Sequence, residues 1–207
     1  MRCVVLVSVL ALAVAARPVF AQDSFGPPQP PAPPVQPGVP ATPPVPPGGT
    51  PDLDQLMQVE RQDFGVAATA QLHSGPMHSP TPSSIPGGQV ITTRGLVELV
   101  KGQQVRALVF DILGGPEMIP GAIAAVPAAQ AGSFSDKTQQ EFAQFLQQMT
   151  QGNKEVPLVF YCLSSHCWMS YNASLRAINM GYKNVLWYRG GIEAWKAGGQ
   201  QVQAAGR

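Results

Sequence analysis

The pattern of hydrophobic and polar residues changes near residue 88, where short apolar runs begin to alternate with amphipathic segments. Continuous apolar runs of strand length predict buried strands, and apolar residues spaced three or four apart predict helices. The predicted strands are 89–92, 107–112, 123–126, 157–161 and 184–187. The predicted helices are 93–101, 135–150, 168–180 and 191–197, with Thr93 and Ser135 as caps of the first two. This alternation predicts an α/β fold in which a parallel sheet is covered by helices on both faces.

The N-terminal residues have the pattern of a targeting segment. A basic start precedes a 14-residue apolar run over 3–16, and small residues follow up to Ala21. This arrangement is typical of a secretory signal peptide over 1–21, and the run is too short to span a bilayer comfortably. We therefore expect export to the periplasm and no membrane span after cleavage. An uncleaved membrane anchor is the alternative.

Proline dominates the next segment, since thirteen of the 22 prolines fall within 27–51. This composition favours extended polyproline conformers without a core, so residues 22–51 are predicted to be a disordered linker. We expect the linker to act as a spacer, with a ligand for a proline-reading domain as the alternative. Residues 52–87 are predicted to be a loop-rich extension that contains one short helix over 52–60.

Charge and cysteine content narrow the function classes. The formal net charge is +1 and no long basic run exists, which argues against nucleic-acid binding. Cleavage after Ala21 would leave Cys162 and Cys167 as the cysteines of the chain. In an oxidising compartment these two thiols are candidates for a disulfide. No metal site is predicted, because the histidines and methionine at 73–78 lack a third ligand at suitable spacing.

Chemistry-bearing side chains follow two of the predicted strands. Asp111 closes one strand, and Cys162 follows another, directly before a short loop and a helix that begins near Trp168. Reactive groups gather at the carboxyl ends of parallel strands. The loop amides and the positive end of the following helix would favour a thiolate at Cys162. Such a thiolate can attack a sulfur donor, hold a persulfide and pass the outer sulfur to an acceptor.

The order and spacing of these elements resemble a rhodanese-like domain from about residue 88 to 203, and we assign residues 88–207 to it. The resemblance rests on the strand ending in Asp111, the turn Ile119-Pro120-Gly121-Ala122, the strand–Cys162–loop–helix unit, and the segments 181–185 and 190–195. It implies a five-stranded parallel sheet with helices on both faces. It also implies sulfur transfer through a persulfide on Cys162.

Residues 167–172 resemble a narrower group, the exported rhodanese-like proteins associated with pyrroloquinoline-quinone-dependent catabolism and known by a Cys-x-x-Cys-Trp motif. This resemblance implies a periplasmic quinoprotein dehydrogenase or cytochrome as partner. We expect no cofactor on the chain itself. Ser164 stands where the motif has its first cysteine, so the partner of Cys167 would be Cys162.

The loop departs from the sulfurtransferase pattern in its charge. In sulfurtransferases an arginine often ends this loop, and another often follows two residues after the strand aspartate. Here these two positions hold Cys167 and Leu113. His166 and Arg189 are expected to supply positive charge at the rim instead. We therefore expect weak thiosulfate sulfurtransferase activity or a different donor, such as a thiol. The candidate substrate-binding residues are Leu163, Ser164, Ser165, His166 and Arg189.

Several interpretations of these residues stay open. Cys162 is a nucleophile or a buried structural thiol, and Cys167 is a resolving thiol or a packing residue. His166 is a general base or an exposed loop residue, while Asp111 and Trp168 are expected to give structural support. The functional hypotheses are a sulfurtransferase, a thiol–disulfide redox protein using both cysteines, and a binding module with little turnover.

Overall fold

A computed structural model describes residues 52–102 and 106–206 of the chain. The predicted signal peptide and the proline-rich linker lie outside these residues. The α-helices are α1 (Leu53–Glu60), α2 (Thr93–Lys101), α3 (Lys137–Thr150), α4 (Met169–Asn179) and α5 (Gly191–Ala197). The strands are β1 (Gln89–Ile91), β2 (Leu108–Asp111), β3 (Glu117–Met118), β4 (Ile123–Ala124), β5 (Leu158–Tyr161), β6 (Val185–Tyr188) and β7 (Gln203–Ala204). None of the helices in these two ranges combines the length and the hydropathy needed to cross a membrane.

Five strands form one parallel sheet in the order β1-β6-β5-β2-β4. The central strand β5 places Phe160 opposite Phe110 of β2 on one side and opposite Trp187 of β6 on the other. Strands β2 and β5 are buried along their whole length, as expected for strands covered on both faces. The predicted α/β fold with a five-stranded parallel sheet is confirmed. The antiparallel pair of β3 and β7 was not predicted, because two-residue strands carry no readable periodicity.

Helices cover both faces of the sheet, as predicted. Phe110 and Phe160 stack with ring centroids 5.1 Å apart in the core beneath α3 and α4. Val109 and Val159 point to the opposite face and pack in the core formed with α2 and α5. Side chains of successive strand residues point to opposite faces, so each central strand contributes to both cores.

Two predicted helix caps were wrong by one residue. The caps are Thr92 for α2 and Asp136 for α3, and each side chain accepts the backbone amide three residues further on. Thr93 is the first residue of α2 instead, and its hydroxyl donates to Glu60 at 2.7 Å. The Glu60 carboxylate also accepts the Thr93 amide, which ties the end of α1 to the start of α2. Burial raises the pKa of Glu60.

Asp136 has a second role, because it pairs with a buried arginine. Arg176 of α4 is fully buried and donates to the two carboxylate oxygens of Asp136 at 3.0 and 2.9 Å. Hydrogen bonds from the Arg176 guanidinium hold the pKa of Asp136 well below its usual range. The pair joins α3 to α4, the helix that follows the cysteine loop.

We expect Asp136→Asn to lower the free energy of unfolding by about 2 kcal/mol at neutral pH, because the buried guanidinium of Arg176 loses its carboxylate partner and one of its two acceptor oxygens. A lowered pKa contributes stability above the ordinary Asp value of 3.8 and loses it as the pH falls toward the native value. Urea unfolding should therefore show a difference between wild type and variant at pH 7 that narrows at pH 3. Glu141→Gln, at an exposed ion pair with Lys137, is the control and should change little. A difference that stays constant with pH would contradict this expectation.

Candidate functional site

The two cysteines form a disulfide at the carboxyl edge of the sheet. Cys162 directly follows β5, and the loop from 162 to 168 leads into α4 at Met169. Cys162 and Cys167 are bonded to each other, with Cα atoms 6.4 Å apart. Their exposed fractions are 1% and 0%. The site is thus in an oxidised state with both sulfurs covered, in place of the expected Cys162 thiolate at the mouth of the sheet.

The start of α5 holds the backbone of Cys162 and Leu163. The amide of Ile192 donates to the Cys162 carbonyl at 2.9 Å, and the amide of Glu193 donates to the Leu163 carbonyl at 3.0 Å. Gly191, the first residue of α5, has a φ of 65°. A Cβ at this position would lie 2.4 Å from the Leu163 carbonyl oxygen, so the contact requires glycine.

The loop-rich extension holds the other side of the cysteine loop. The Thr81 amide and hydroxyl both donate to the Ser165 carbonyl, at 3.2 and 2.6 Å. The Trp168 amide donates to the Met77 carbonyl at 2.8 Å, and its indole N–H donates to the Pro80 carbonyl at 3.1 Å. The extension therefore forms part of the site and closes the loop against the domain.

The same extension docks on α4 through His73. Its ring stacks on the Trp168 indole at a centroid distance of 4.1 Å. The His73 amide donates to the Asn172 side-chain oxygen at 2.8 Å, and the Asn172 side-chain nitrogen donates back to the His73 carbonyl at 2.9 Å.

Among the residues the structure describes, no group of three His, Cys, Asp or Glu side chains is placed to hold a metal ion.

Arg189 is buried and does not lie at the loop rim, so the prediction that it binds substrate there was wrong. The residue is 1% exposed, and its guanidinium donates to the carbonyls of Glu60, Gln62 and Thr81 at 2.7 to 3.0 Å. Its Nε donates to the Thr81 hydroxyl at 3.1 Å. Because that hydroxyl in turn holds the Ser165 carbonyl, Arg189 positions the cysteine loop from behind. The sequence predicted the extension over 52–87 but gave no indication that it folds over Arg189.

Among the described hydrogen bonds, neither Asp111 nor His166 is bonded to a sulfur of the disulfide. Asp111 is buried and accepts the amides of Leu113 and Gly114, at 2.9 and 3.4 Å, so it supports the turn after β2. Burial raises the pKa of this carboxyl group. His166 is exposed, with its ring 4.7 Å from that of Phe64. Among the described contacts, no hydrogen bond joins the His166 ring to either cysteine.

A cleft of about 360 Å³ opens beside Leu163, and none of its lining residues belongs to the extension. Its lining is apolar near the loop, and an ion pair between Lys196 and Glu117 at 2.6 Å lies at the cleft. The lining residues are Leu113, Gly115, Pro116, Glu117, Leu163, Ile192, Glu193 and Lys196. Of the predicted substrate-binding residues, Leu163 is the one that lines this cleft.

Ser170 contacts the sulfur of Cys162 and was missed by sequence reasoning. Its hydroxyl oxygen lies 3.4 Å from the Cys162 sulfur and 3.0 Å from the indole nitrogen of Trp187. A weak signal was available, because Ser170 follows Cys167 by three residues in the first turn of a predicted helix. Nothing local indicates that Trp187, on another strand, completes the contact.

Comparison with known proteins identifies the domain. Residues 99–198 match the family model described as Rhodanese-like domain. The chain contains a rhodanese-like domain. The loop with Cys162 and Cys167 therefore occupies the strand-to-helix connection of a rhodanese-like fold.

Solved structures with similarity to the rhodanese-like domain share little sequence with it. Thiosulfate sulfurtransferase from Pseudomonas aeruginosa is 19% identical, with a TM-score of 0.44, over 57% of this chain and 21% of that chain. The match thus spans about a fifth of that enzyme. A protein from Lactobacillus plantarum is 16% identical, with a TM-score of 0.42, over 56% of this chain and 88% of that one. The BH2092 protein from Bacillus halodurans is 20% identical, with a TM-score of 0.41, over 56% and 77%. No curated protein matches the chain.

Proposed function

We propose that this rhodanese-like protein is a thiol–disulfide enzyme whose Cys162 and Cys167 alternate between a disulfide and two thiols. The observation that carries the proposal is the disulfide within one strand-to-helix loop, at a Cα separation of 6.4 Å. The loop contains no lysine or arginine, and Arg189 is engaged elsewhere. An anionic donor such as thiosulfate would meet no fixed guanidinium here, so a thiol is the better-matched substrate.

The reaction follows the chemistry of thiol–disulfide exchange. A substrate thiolate attacks one sulfur of the Cys162–Cys167 bond, a mixed disulfide forms, and the other cysteine leaves as a thiolate. A second substrate thiol then attacks the mixed disulfide, and the second cysteine thiolate leaves. The substrate loses two electrons and two protons, and the protein gains both electrons as its disulfide becomes a dithiol.

The start of α4 favours the thiolates that this reaction releases. The helix begins at Met169, two residues after Cys167. Its first amide groups have no partner within the helix, so its N-terminus carries partial positive charge. Such an environment lowers the pKa of a nearby thiol and stabilises the reduced state relative to the disulfide.

Sulfur transfer is the second candidate, and the match of residues 99–198 to the rhodanese-like family favours it. In this reaction the disulfide is first reduced by a thiol, and the Cys162 thiolate attacks the outer sulfur of a donor such as thiosulfate. The S–S bond of the donor breaks, sulfite leaves, and Cys162 holds the transferred sulfur as a persulfide. The Cys167 thiolate can attack the inner sulfur of that persulfide, which re-forms the disulfide and releases hydrosulfide. The two thiolates lose two electrons, and the released sulfur gains them. A lasting persulfide is therefore expected only where Cys167 is absent.

The proposed setting is the periplasm, to which the predicted signal peptide over 1–21 would direct the chain. An oxidising compartment can regenerate the disulfide after each turnover. We further propose a periplasmic quinoprotein dehydrogenase or cytochrome as partner, with no cofactor on this chain. This part of the proposal is supported by the resemblance of residues 167–172 to the Cys-x-x-Cys-Trp group.

The reduction potential of the disulfide tests the redox proposal. Protein purified from the periplasm should contain no free thiol before reduction and two thiols, Cys162 and Cys167, after it. Its reduction potential, measured against glutathione, should lie above about −300 mV, because structural disulfides of secreted proteins typically lie below this value. A lower potential, or two free thiols in the periplasmic protein, would rule against the redox function.

A further inference from the structure

The sulfur of Cys162 has two polar neighbours that act in opposite directions. The Cys167 carbonyl oxygen lies 3.4 Å away and can only accept a hydrogen bond, so it disfavours a thiolate at Cys162. The Ser170 hydroxyl also lies 3.4 Å away and is able to donate. Among the described residues, Ser170 is the side-chain donor in hydrogen-bond contact with this sulfur.

The direction of the Ser170 hydroxyl is set by Trp187. The Trp187 indole nitrogen lies 3.0 Å from the Ser170 oxygen, and an indole N–H can only donate. The Ser170 oxygen therefore accepts from Trp187, and its own proton is left for Cys162. Ser170 and Trp187 are 1% and 0% exposed, so water does not compete for these bonds. Trp187 lies on β6 and Ser170 in the first turn of α4, so both side chains project from regular secondary structure.

We propose that Ser170 is a catalytic hydrogen-bond donor to the Cys162 sulfur and that Trp187 is the positioning residue that aims its hydroxyl. The proposal rests on the thiol chemistry proposed above and deepens it. A disulfide sulfur is a weak acceptor, whereas a thiolate carries full charge and accepts strongly. The bond from Ser170 is therefore stronger after the S–S bond breaks. It stabilises the reduced site and makes Cys162 the thiolate of the pair.

The thiol pKa of Cys162 is the direct test, because a hydrogen bond donated to the thiolate stabilises the charged form and its loss raises this pKa. In the Cys167→Ser variant of the mature protein, the rate of iodoacetamide alkylation against pH gives this pKa. Adding Ser170→Ala should raise it by about one to two pH units, the amount expected for loss of a hydrogen bond to a charged group. Ser170→Thr keeps the hydroxyl and should restore the value. Trp187→Phe removes the indole donor and should give a smaller rise.

Ser174→Ala is the matched control. Ser174 is also buried in α4 and its hydroxyl donates to the Ser170 carbonyl at 2.8 Å, but it makes no contact with the sulfur. Its removal should leave the Cys162 pKa unchanged. The ionisable groups on the elements that adjoin the loop are the same in every variant compared. They include His166 in the loop, His73 and His78 in the extension, Asp111 at the end of β2, Arg176 in α4, Arg189 after β6 and Glu193 in α5.

The redox readout uses the protein with both cysteines. There, Ser170→Ala should make the disulfide about tenfold harder to reduce at equilibrium, a fall of about 30 mV in potential. An unchanged pKa and potential in a folded Ser170→Ala variant would overturn the role of Ser170 while leaving the proposed function intact. Failure of Cys162 to react at any pH in the Cys167→Ser protein would overturn both. If Ser170→Ala does not fold, an unchanged pKa in Trp187→Phe would overturn the proposal.

Discussion

Replacing Cys162 by serine is expected to abolish both thiol–disulfide exchange and sulfur transfer, with a loss of at least about a thousandfold in rate. The reason is that the Cys162 sulfur takes part in each covalent intermediate of either reaction. A serine hydroxyl at this position is neither a redox partner for Cys167 nor able to hold a transferable sulfur. Turnover assays with a dithiol substrate, and with thiosulfate plus a thiol acceptor, should both fall to the background rate.

The matched variant Cys167→Ser separates the two candidate functions. It keeps Cys162 but removes the thiol that would resolve an intermediate, so the intermediate should accumulate. Intact-protein mass spectrometry should then find a mixed disulfide after exposure to thiols, which supports exchange. It should find one added sulfur atom after exposure to a sulfur donor if sulfur transfer operates. Full activity in Cys162→Ser, or no adduct of either kind in Cys167→Ser, would contradict a thiol-based function.

Replacing Arg189 by methionine is expected to lower the free energy of unfolding by roughly 2–4 kcal/mol. Methionine keeps an unbranched apolar stem but loses the guanidinium that satisfies carbonyls of Glu60, Gln62 and Thr81. Two of these hydrogen bonds are buried, so their acceptors would lose their partners without gaining water. Burial also lowers the pKa of Arg189, so its charge is tolerated here only because these acceptors surround it. Urea unfolding at neutral pH measures the loss.

Arg189→Met should also expose the disulfide. Arg189 holds the Thr81 hydroxyl, which in turn holds the Ser165 carbonyl of the cysteine loop. Without it, the loop should open more often, and dithiothreitol should reduce the disulfide at least about tenfold faster. The control is Arg94→Met, because Arg94 forms an exposed pair with Asp54 at 2.8 Å and should contribute less than about 1 kcal/mol. Equal effects of the two substitutions would contradict a positioning role for Arg189.

Most of the domain's secondary structure was predictable because its signals are local. The runs at 107–112 and 157–161 are apolar throughout since both faces of these strands are covered, and they form β2 and β5. The errors were of two kinds. Caps were misplaced by one residue where adjacent side chains compete for the same role, as with Thr92 and Thr93. The pair of β3 and β7 was not predicted, because these strands are stabilised by pairing between segments far apart in the sequence.

The candidate site was predictable to a smaller extent. The apolar run at 157–161 correctly placed Cys162 at the end of a buried strand, in the same short loop as Cys167. Arg189 shows the limit of such reasoning. Its sequence position, directly after a buried strand, indicates an exposed charge at the sheet edge, whereas the structure buries it beneath residues 60–81.

The amino-acid sequence by itself determined the parallel α/β architecture, the loop that carries both cysteines, and the absence of lysine and arginine from that loop. These features depend on neighbouring residues, on periodicity and on composition. Only the tertiary structure decided what surrounds the sulfurs: the Ser170 hydroxyl aimed by Trp187, and the extension held by Arg189. Hydrogen bonds to a buried group come from whichever segments fold against it, and here Thr81 and the Ser165 carbonyl that it holds lie 84 residues apart along the chain.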